Sequence, residues 1–424
     1  MDALMLPLNW QKVRLGDIAE IKRGASPRPI ENPKWFCTNS NVGWVRISDI
    51  SKNSRFLYKT AQKLSKKGIE KSRFIKQNSL IMSMCATIGK PIITKIDTCI
   101  HDGFVVFENP KIDLNYLYYF LCYIEKEWLE SGQQGSQVNL NVDLIKNKEV
   151  FCPKDLDEQA AIANILSDLD HYLCSLDALI LKKESVKKAL SFELLSQRKR
   201  LKGFNQAWQR VRLGDIGITI SGLVGKTKQD FINGNAKYIT FLNVLNNFII
   251  DTSILENVKI YPNEKQNSFK KYDLFFNTSS ETPKEVGMCA VLLDDIDQVF
   301  LNSFCFGFRI FDKAVDGLFL SYLINSEIGR KAFENLAQGS TRYNLSKSGF
   351  NNVCLFLPPL NEQIAIANIL STLDHEIASL KNKKRQFENI KKDLNHDLMS
   401  AKIRVLKKLT PQKLKANPLF KGNP

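Results

Sequence analysis

The sequence predicts an α+β fold in which two mixed α/β domains lie in tandem and each is followed by a long helix. The chain repeats itself: residues 10–18 return as 208–216 with eight of nine positions identical, and residues 158–171 return as 362–375 with twelve of fourteen identical. Between these segments the two halves have little in common. A period of about 200 residues is far too long for a solenoid repeat, so we interpret the chain as a tandem duplication with variable interiors.

Runs of β-branched and aromatic residues between Gly, Asn, Asp or Pro turns predict short strands in both halves. They lie at 43–47, 79–84, 91–94 and 104–107 in the first half, and at 238–245, 274–276, 290–293 and 306–311 in the second. Apolar residues at helical spacing predict helices over 114–129 and 318–336. Strands and helices combined in this way are typical of a mixed domain.

Two long amphipathic helices follow the mixed domains. From Ile162 and from Ile366 onward, apolar residues recur every three or four positions over helices of about 40 residues, or about 60 Å. Pro153 and Pro358 stand just before these segments, where a helix start tolerates proline. The apolar stripes are narrow, so we expect the two helices to pair as an antiparallel coiled coil with pseudo-twofold symmetry. Packing of each helix on its own domain is the alternative.

These patterns divide the chain into five segments. We expect the first domain at 1–155, the central helix at 156–203, the second domain at 204–359, the C-terminal helix at 360–408 and a tail at 409–424. No stretch approaches the ~18 apolar residues of a membrane-spanning helix, and residues 1–10 lack the pattern of a signal peptide. The nine cysteines include no Cys-x-x-Cys pair, so we expect reduced thiols in a cytoplasmic protein.

Charge gives the first indication of function. The chain has 60 Lys and Arg against 44 Asp and Glu, a formal net charge of +16. The excess is concentrated in residues 1–100, with 18 basic and 7 acidic side chains, and in residues 301–424, with 19 and 10. Such a concentration favours a polyanionic partner or an anionic membrane surface over a general role in solubility.

Signatures of catalysis are missing from the sequence. Residues 222–227 resemble a phosphate-binding loop, but Ile220 stands where the Gly-x4-Gly-Lys-Thr pattern needs its first glycine. His171 and His375 occupy matching helix positions, and no His, Cys or carboxylate pair has zinc-ligand spacing. We therefore expect no catalytic residue, no metal site and no cofactor in this chain.

A basic segment at 52–76 has the composition of a polyanion-binding surface. It combines nine basic residues with one acidic residue, Glu70, and with the aromatic side chains of Phe56, Tyr58 and Phe74. Its cations suit phosphate contacts, and a solvated basic face is the alternative. The basic residues are Lys52, Arg55, Lys59, Lys63, Lys66, Lys67, Lys71, Arg73 and Lys76. The candidates in the less basic second half are Lys226, Lys228, Lys265, Lys270 and Lys271.

The repeated motifs resemble those of the specificity subunits of type I restriction–modification systems. The resemblance covers nearly the whole chain, and its elements occur twice in the same order. They are Val-Arg-Leu-Gly-Asp-Ile at 13–18 and 211–216, glycine turns at 23–28 and 221–223, the segments 86–90 and 278–287, and the helix starts at 156–159 and 358–363. One departure is Lys154-Asp155, where the second copy has two prolines.

This resemblance implies that each mixed domain is a target-recognition domain reading one half of a bipartite site in double-stranded DNA. The helices would set the spacer between the half-sites and dock two methyltransferase subunits, and restriction subunits with translocase activity would join them. S-adenosylmethionine, ATP and Mg²⁺ would bind to these partners, so the chain itself would not be an enzyme. Arg28, Arg55 and Arg73 in the first domain, and Asn233, Asn235 and Lys237 in the second, become candidates for base contacts.

The same resemblance assigns partner docking or helix pairing to residues of the two long helices. They are Glu158, Gln159, Ile162, Ile165, Leu169 and Leu176 in the first copy, and Glu362, Gln363, Ile366, Ile369, Leu373 and Leu380 in the second. The polar loops 133–137 and 338–342 could contact DNA or only connect elements. Two alternatives stay open: a self-sufficient DNA adenine methyltransferase or nuclease, and a basic coiled-coil scaffold that binds nucleic acid or a membrane surface.

Overall fold

A computed structural model describes residues 7–52, 55–131, 140–334, 336, 339 and 342–405. The tail expected at 409–424 and most of the polar loops 133–137 and 338–342 lie outside these residues. The chain forms two compact units: unit 1 comprises Met1–Leu176 and Lys383–Pro424, and unit 2 comprises Asp177–Asn382. Each unit therefore contains one mixed domain and a part of each long helix.

The mixed domain of unit 1 is built from short elements that precede the first long helix. Its strands are β1 (Trp10–Arg14), β2 (Glu20–Arg23), β3 (Gly43–Val45), β4 (Phe56–Leu57), β5 (Gln62–Lys63), β6 (Arg73–Ile75), β7 (Leu80–Ser83), β8 (Pro91–Thr94), β9 (Thr98–Ile100), β10 (Phe104–Glu108) and β11 (Glu149–Pro153). Its helices are α1 (Leu15–Ile18), α2 (Ile47–Ser51), α3 (Lys66–Glu70), α4 (Leu114–Tyr123), α5 (Glu125–Ser131), α6 (Val142–Asn147) and α7 (Leu156–Leu195), the last continuing into unit 2. A 3-10 helix covers Pro33–Trp35.

The elements of unit 2 follow a similar order. Its strands are β12 (Gln209–Arg212), β13 (Gly217–Ser221), β14 (Ala236–Ile239), β15 (Glu256–Val258), β16 (Leu274–Asn277), β17 (Ser279–Ser280), β18 (Cys289–Val291), β19 (Val299–Leu301), β20 (Cys305–Ile310), β21 (Tyr343–Asn344) and β22 (Cys354–Leu357). Its helices are α8 (Leu213–Ile216), α9 (Phe241–Asn246), α10 (Gly317–Asn325), α11 (Glu327–Glu334), α12 (Lys347–Asn351) and α13 (Leu360–Met399), the last continuing into unit 1. Three 3-10 helices cover Lys228–Phe231, Thr252–Ile254 and Pro283–Glu285.

The sheets of the two units have matching plans. In unit 1, β1 pairs with β11, one sheet has the order β2-β10-β7-β8-β4, and another has the order β5-β3-β9-β6. In unit 2, β12 pairs with β22, and two sheets have the orders β13-β20-β16-β18 and β15-β14-β19; β17 pairs with β21. Burial of aromatic side chains, such as Tyr116 and Phe120 of α4 and Phe276 of β16, fills the cores. The mixed α+β prediction with two tandem domains is confirmed.

Part of the predicted secondary structure is wrong. The strand expected at 238–245 ends at Ile239, because Thr240 accepts a hydrogen bond from the backbone N–H of Asn243 (3.2 Å) and so caps α9. The buried side-chain amide of Asn243 donates to the carbonyl of Asp251 (2.9 Å), which holds this turn in place. The helices expected at 114–129 and 318–336 are each divided into two helices, with breaks at Ile124 and Ser326.

The long helices α7 and α13 pair antiparallel within unit 1. Asp170 of α7 forms an ion pair with Lys391 of α13, and two residues later the ring of Tyr172 lies 4.6 Å from that of Phe387. The Tyr119 hydroxyl of α4 donates to the Asp170 carboxylate at 2.6 Å. Burial, together with this contact, raises the pKa of Tyr119 well above its usual range, so the hydroxyl remains a donor. Tyr119, Asp170 and Lys391 therefore connect the mixed domain to both long helices.

Unit 2 contains the same contacts with the roles of the helices exchanged. Lys187 of α7 pairs with Asp374 of α13, and Asp374 accepts a hydrogen bond from Tyr322 of α10 at 2.6 Å. Asp374 is the repeat counterpart of Asp170, and Lys187 is the counterpart of Lys391. The sequence repeat is therefore present in the contacts, and antiparallel pairing is confirmed within each unit.

The end of each long helix completes the core of the domain that precedes the other helix. In each unit, the first turns of one helix and the last turn of the other bury apolar side chains in a single cluster. These are Ile162, Leu166, Leu398 and Met399 in unit 1, and Ile366, Leu370, Leu194 and Leu195 in unit 2. Each helix thus packs on its own domain at its start and contributes to the other unit at its end.

Replacing Leu398 by Ala is expected to reduce the free energy of unfolding by about 2–5 kcal/mol, because it leaves a cavity in the core of unit 1. Chemical denaturation followed by circular dichroism measures the change. The matched control is Leu181→Ala on α7, whose side chain is 66% exposed, and it is expected to change stability by less than about 0.5 kcal/mol. Equal effects of the two substitutions would contradict the closure of this core by α13.

Candidate nucleic-acid interface

The lysines of the basic segment lie on the surface of unit 1. The segment passes through β4, β5, α3 and β6, so its backbone is held by two sheets and a short helix. The Ser65 hydroxyl caps α3 by accepting from the backbone N–H of Gly68 at 3.3 Å. The exposed lysines are Lys52, Lys59, Lys63, Lys66, Lys67, Lys71 and Lys76. Their exposure on an ordered frame is compatible with the predicted phosphate contacts.

Arg55 is placed differently from the rest of the segment. It is only 5% exposed, and its guanidinium donates to Tyr119 (2.9 Å), Ser167 (2.7 Å) and Asn115 (2.7 Å). These bonds join the residue that precedes β4 to α4 and α7. The prediction that Arg55 contacts DNA is wrong, because a buried guanidinium with three internal acceptors does not reach a ligand at the surface.

Strand register brings other cations to one edge of the four-stranded sheet of unit 1. β3 and β9 are parallel with Val45 opposite Ile100, and β6 is antiparallel to β9 with Arg73 opposite Ile100. The residues that follow β3 and β9, Arg46 and His101, therefore emerge beside Arg73. Because side chains at adjacent strand ends share one edge, this register brings the cations Arg46 and Arg73, which are far apart in the sequence, together beside the His101 imidazole.

A turn anchored on Asp102 adds two further arginines to this edge. Arg28 forms an ion pair with the Asp102 carboxylate at 3.1 Å, and Arg23 donates to the Asp102 carbonyl at 2.7 Å. Arg73 donates in turn to the carbonyl of Arg23 at 2.5 Å. We call the set of Arg23, Arg28, Arg46, Arg73, His101 and Asp102 the arginine edge.

The arginine edge is positively charged at neutral pH. The Ser26 hydroxyl, which donates to Asp102 at 2.6 Å, holds the pKa of that carboxyl below its usual range, and Arg28 acts in the same direction. Burial lowers the pKa of His101 to about 4, so its imidazole is neutral at pH 7. Four guanidinium groups against one carboxylate leave a net positive surface, which attracts a polyanion.

The candidates of unit 2 divide into exposed and internal residues. Lys228, Asn233, Lys237 and Lys270 are exposed, and Lys271 is half-buried beside the ring of Tyr272. Lys226 is a correction: its side chain is 5% exposed, pairs with Glu264 and donates to the carbonyl of Lys259 at 2.5 Å. It holds two loops together and is not available to DNA.

The Glu-Gln pairs at the helix starts are internal and do not dock a partner. Gln159 donates to the carbonyl of Pro153 (2.8 Å) and accepts from the backbone N–H of Asp113 (2.8 Å). Gln363 repeats this pattern with Pro358 (2.7 Å) and Asp316 (2.9 Å). Both glutamines therefore fix the entrance of a long helix against its own domain.

The neighbouring glutamates are internal as well. Glu158 accepts from Asn9 at 2.7 Å and Glu362 accepts two hydrogen bonds from Arg200 at 2.6 and 2.7 Å. Since Glu158, Gln159, Glu362 and Gln363 are all buried with internal partners, assigning them to partner docking is wrong.

The predicted apolar stripes are only partly buried. Ile162 and Ile366 lie fully inside the unit cores, and Leu176 is buried. Leu169, Leu373, Ile369 and Leu380 are half-buried, and Ile165 is 37% exposed. The sequence analysis missed Leu166 and Leu370, which are fully buried one position after Ile165 and Ile369.

Three residues of the arginine edge, Arg23, Arg46 and His101, were not predicted as site residues. Arg46 lies at the end of a predicted strand run, and His101 directly follows β9, so each had a local signal. The parallel pairing of β3 with β9 is not readable from local patterns, since the two strands are separated by five other strands.

Among the described residues, no group of three or more His, Cys, Asp or Glu side chains is arranged to hold a metal ion. No helix in the described part of the chain is long and apolar enough to cross a membrane.

Comparison with known proteins relates both units to one family. The family model of the type I restriction modification DNA specificity domain matches residues 7–183 and again residues 205–389. The MjaVIII type I restriction enzyme specificity subunit of Methanocaldococcus jannaschii is 26% identical over 426 residues, which covers 96% of this chain and 95% of that protein.

Solved structures show the same fold at lower sequence identity. The S subunit of a type I restriction–modification system from M. genitalium superposes with a TM-score of 0.59 and 15% identity, over 94% of this chain and 97% of that one. A chain from a structural study of complex assembly and conformational transition of the type I R-M system superposes with a TM-score of 0.58 and 15% identity. The match covers 93% of this chain and 98% of that one. With both halves matched by the family model, the chain belongs to the type I restriction–modification DNA specificity family, as a specificity subunit with two copies of the family's domain.

Proposed function

We propose that each unit reads one half of a bipartite DNA target and that the chain directs a methyltransferase to it. The observation that carries this proposal is the arginine edge together with the exposed lysines of the basic segment, in a chain whose two halves both match the DNA specificity domain. Guanidinium groups suit base edges and phosphates, and lysines suit the phosphate backbone. Two reading domains in one chain fit an asymmetric, two-part target.

The long helices would dock the partner subunits. Large apolar side chains remain exposed on both helices, as expected for a surface that another protein covers. They are Ile165, Leu179, Leu181 and Val186 on α7, and Ile364 and Ile390 on α13. The occupants would be two methyltransferase subunits, with restriction and translocase subunits joining the complex. S-adenosylmethionine, ATP and Mg²⁺ would bind to those partners, the chain alone would catalyse nothing, and the complex would act in the cytoplasm.

Methylation sequencing tests this proposal directly. Cells that express the chain together with the methyltransferase of its system are expected to contain a bipartite adenine-methylation motif that is absent when either protein is omitted. Methyl transfer by the purified chain alone would contradict the proposal, and so would a complex with the methyltransferase that leaves no motif.

Reversing Lys63, Lys66 and Lys67 to Glu is expected to weaken DNA binding at all sequences. Loss of three phosphate contacts reduces the slope of log K against log salt concentration by about 2.7. Fluorescence anisotropy at salt concentrations from about 50 to about 200 mM measures the DNA affinity and the salt slope. The matched control reverses three other exposed lysines of unit 1, Lys126, Lys146 and Lys154. Equal losses in both variants would show a general charge effect and contradict a specific phosphate-binding face.

Lengthening both helices is expected to lengthen the spacer between the half-sites. Four residues added after Leu176 and after Asn382 lie where each helix passes from one unit to the other, so contacts within the units are kept. They add about 6 Å of helix, or one to two base pairs at about 3.4 Å each. Methylation sequencing of this variant should give unchanged half-sites with a longer spacer. Altered bases within a half-site would contradict the role of the helices as a spacer.

A further inference from the structure

The arginine edge contains a pocket that the phosphate contacts do not explain. It has a volume of about 380 Å³ and is lined by Ile30, Arg46, Ile47, Ser48 and His101. Its size is within the range of about 300–1,000 Å³ that small planar ligands occupy. The lining therefore combines three polar side chains with two isoleucines.

The frame of the pocket is rigid. The His101 ring lies 4.6 Å from that of Phe104 and 5.9 Å from that of Trp44, and both neighbours are fully buried. The Asp49 carboxylate accepts from the backbone N–H of Arg46 at 2.9 Å, which fixes the turn from β3 into α2. A site held in this way presents its side chains in one orientation before the ligand arrives.

Two of the three polar side chains that line the pocket, Arg46 and His101, present hydrogen-bond donors, and the third is the hydroxyl of Ser48. The Nδ1 of His101 accepts from the backbone N–H of Gly103 at 2.9 Å, and the ring is neutral because burial lowers its pKa to about 4. A neutral imidazole with an accepting Nδ1 has its proton on Nε2, so Nε2 donates. The Arg46 guanidinium donates a long hydrogen bond of 3.5 Å to the side-chain carbonyl of Gln62. Its other N–H groups can donate to a ligand.

We propose that Arg46 and His101 form a base-reading pocket that selects guanine in the half-site of unit 1. In the major groove guanine presents two acceptors, O6 and N7, which match two donors. Adenine and cytosine would each place an amino group against a donor, which disfavours them. The inference rests on the proposed function and names the base that this domain reads.

The matching edge of unit 2 has the same frame with different side chains. β14 and β19 are parallel with Ile239 opposite Leu301, so Thr240 and Asn302 stand where unit 1 has Arg46 and His101. Asn302 accepts from the backbone N–H of Phe304 at 2.8 Å, the same local bond that His101 makes with Gly103.

A second backbone contact supports this equivalence. Asn267 donates to the carbonyl of Ser221 at 3.0 Å, as Arg73 donates to the carbonyl of Arg23. Ser221 is the repeat counterpart of Arg23. The same backbone presents a guanidinium and an imidazole in unit 1, and a hydroxyl and an amide in unit 2. This arrangement is expected where the two domains read different bases.

The test compares Arg46→Gln and His101→Asn with the control Arg14→Gln, each in the full chain with its methyltransferase. Arg14 is an exposed arginine of β1, outside this edge. Methylation sequencing gives the wild-type motif, and competition binding with DNA duplexes then measures the preference at each position. We expect both variants to reduce the preference for guanine at one position of one half-site by about tenfold or more. The other half-site and the control should keep their preferences.

Three outcomes would overturn the inference. Unchanged preferences would exclude base reading by the pocket, and equal weakening at every sequence with a smaller salt slope would indicate phosphate contact. Loss of discrimination in both half-sites would indicate a structural role, because unit 2 serves as an internal control for folding and assembly. A wild-type complex without any motif would instead count against the proposed function. Since Arg46 is exposed, the Arg46→Gln variant is expected to fold even where His101→Asn disturbs the aromatic neighbours.

Discussion

The structure depends on the reciprocal packing of two long helices, each of which completes the core of the domain that precedes the other. Leu398 and Met399 of α13 are buried in unit 1, and Leu194 and Leu195 of α7 are buried in unit 2. The ion pairs Asp170–Lys391 and Lys187–Asp374 accompany these contacts, one in each unit. Each domain therefore buries the end of a helix from the other half of the chain, although each has its own sheets.

This reciprocal frame explains how the interiors of the domains differ while the fold is retained. The residues that hold the frame are repeated in sequence, including the glutamines at the helix starts and the Tyr–Asp–Lys contacts. Between them the same strand register presents arginines and a histidine in unit 1, and an amide and a hydroxyl in unit 2. The side chains at this edge are not among those that make the buried helix contacts, so the edge and the helix frame consist of separate sets of residues.

Much of the architecture was predictable from the sequence, whereas most of the candidate site was not. The duplication, the mixed domains and the long helices follow from repeats and periodicity, which are local patterns. The burial of Arg55 and Lys226 could not be predicted, because the sequence around a basic residue does not show whether the side chain faces water or is bonded to a partner such as Tyr119 or Glu264. For Glu158 and Gln159 the family resemblance implied partner docking or helix pairing, whereas their buried hydrogen bonds fix the start of a helix to its own domain. The arginine edge required the parallel pairing of β3 and β9, which no local pattern gives.

If each unit reads its own half of the DNA target, as we propose, then exchanging one domain should exchange one half-site, and a chimera measures this. Residues 15–148, which lie between the paired strands β1 and β11, would be replaced by the corresponding segment of the M. jannaschii relative, leaving both long helices intact. Methylation sequencing of the assembled complex should then give a motif in which one half-site comes from each parent, with the half-site of unit 2 unchanged. A motif in which both half-sites change, or in which neither does, would contradict the account.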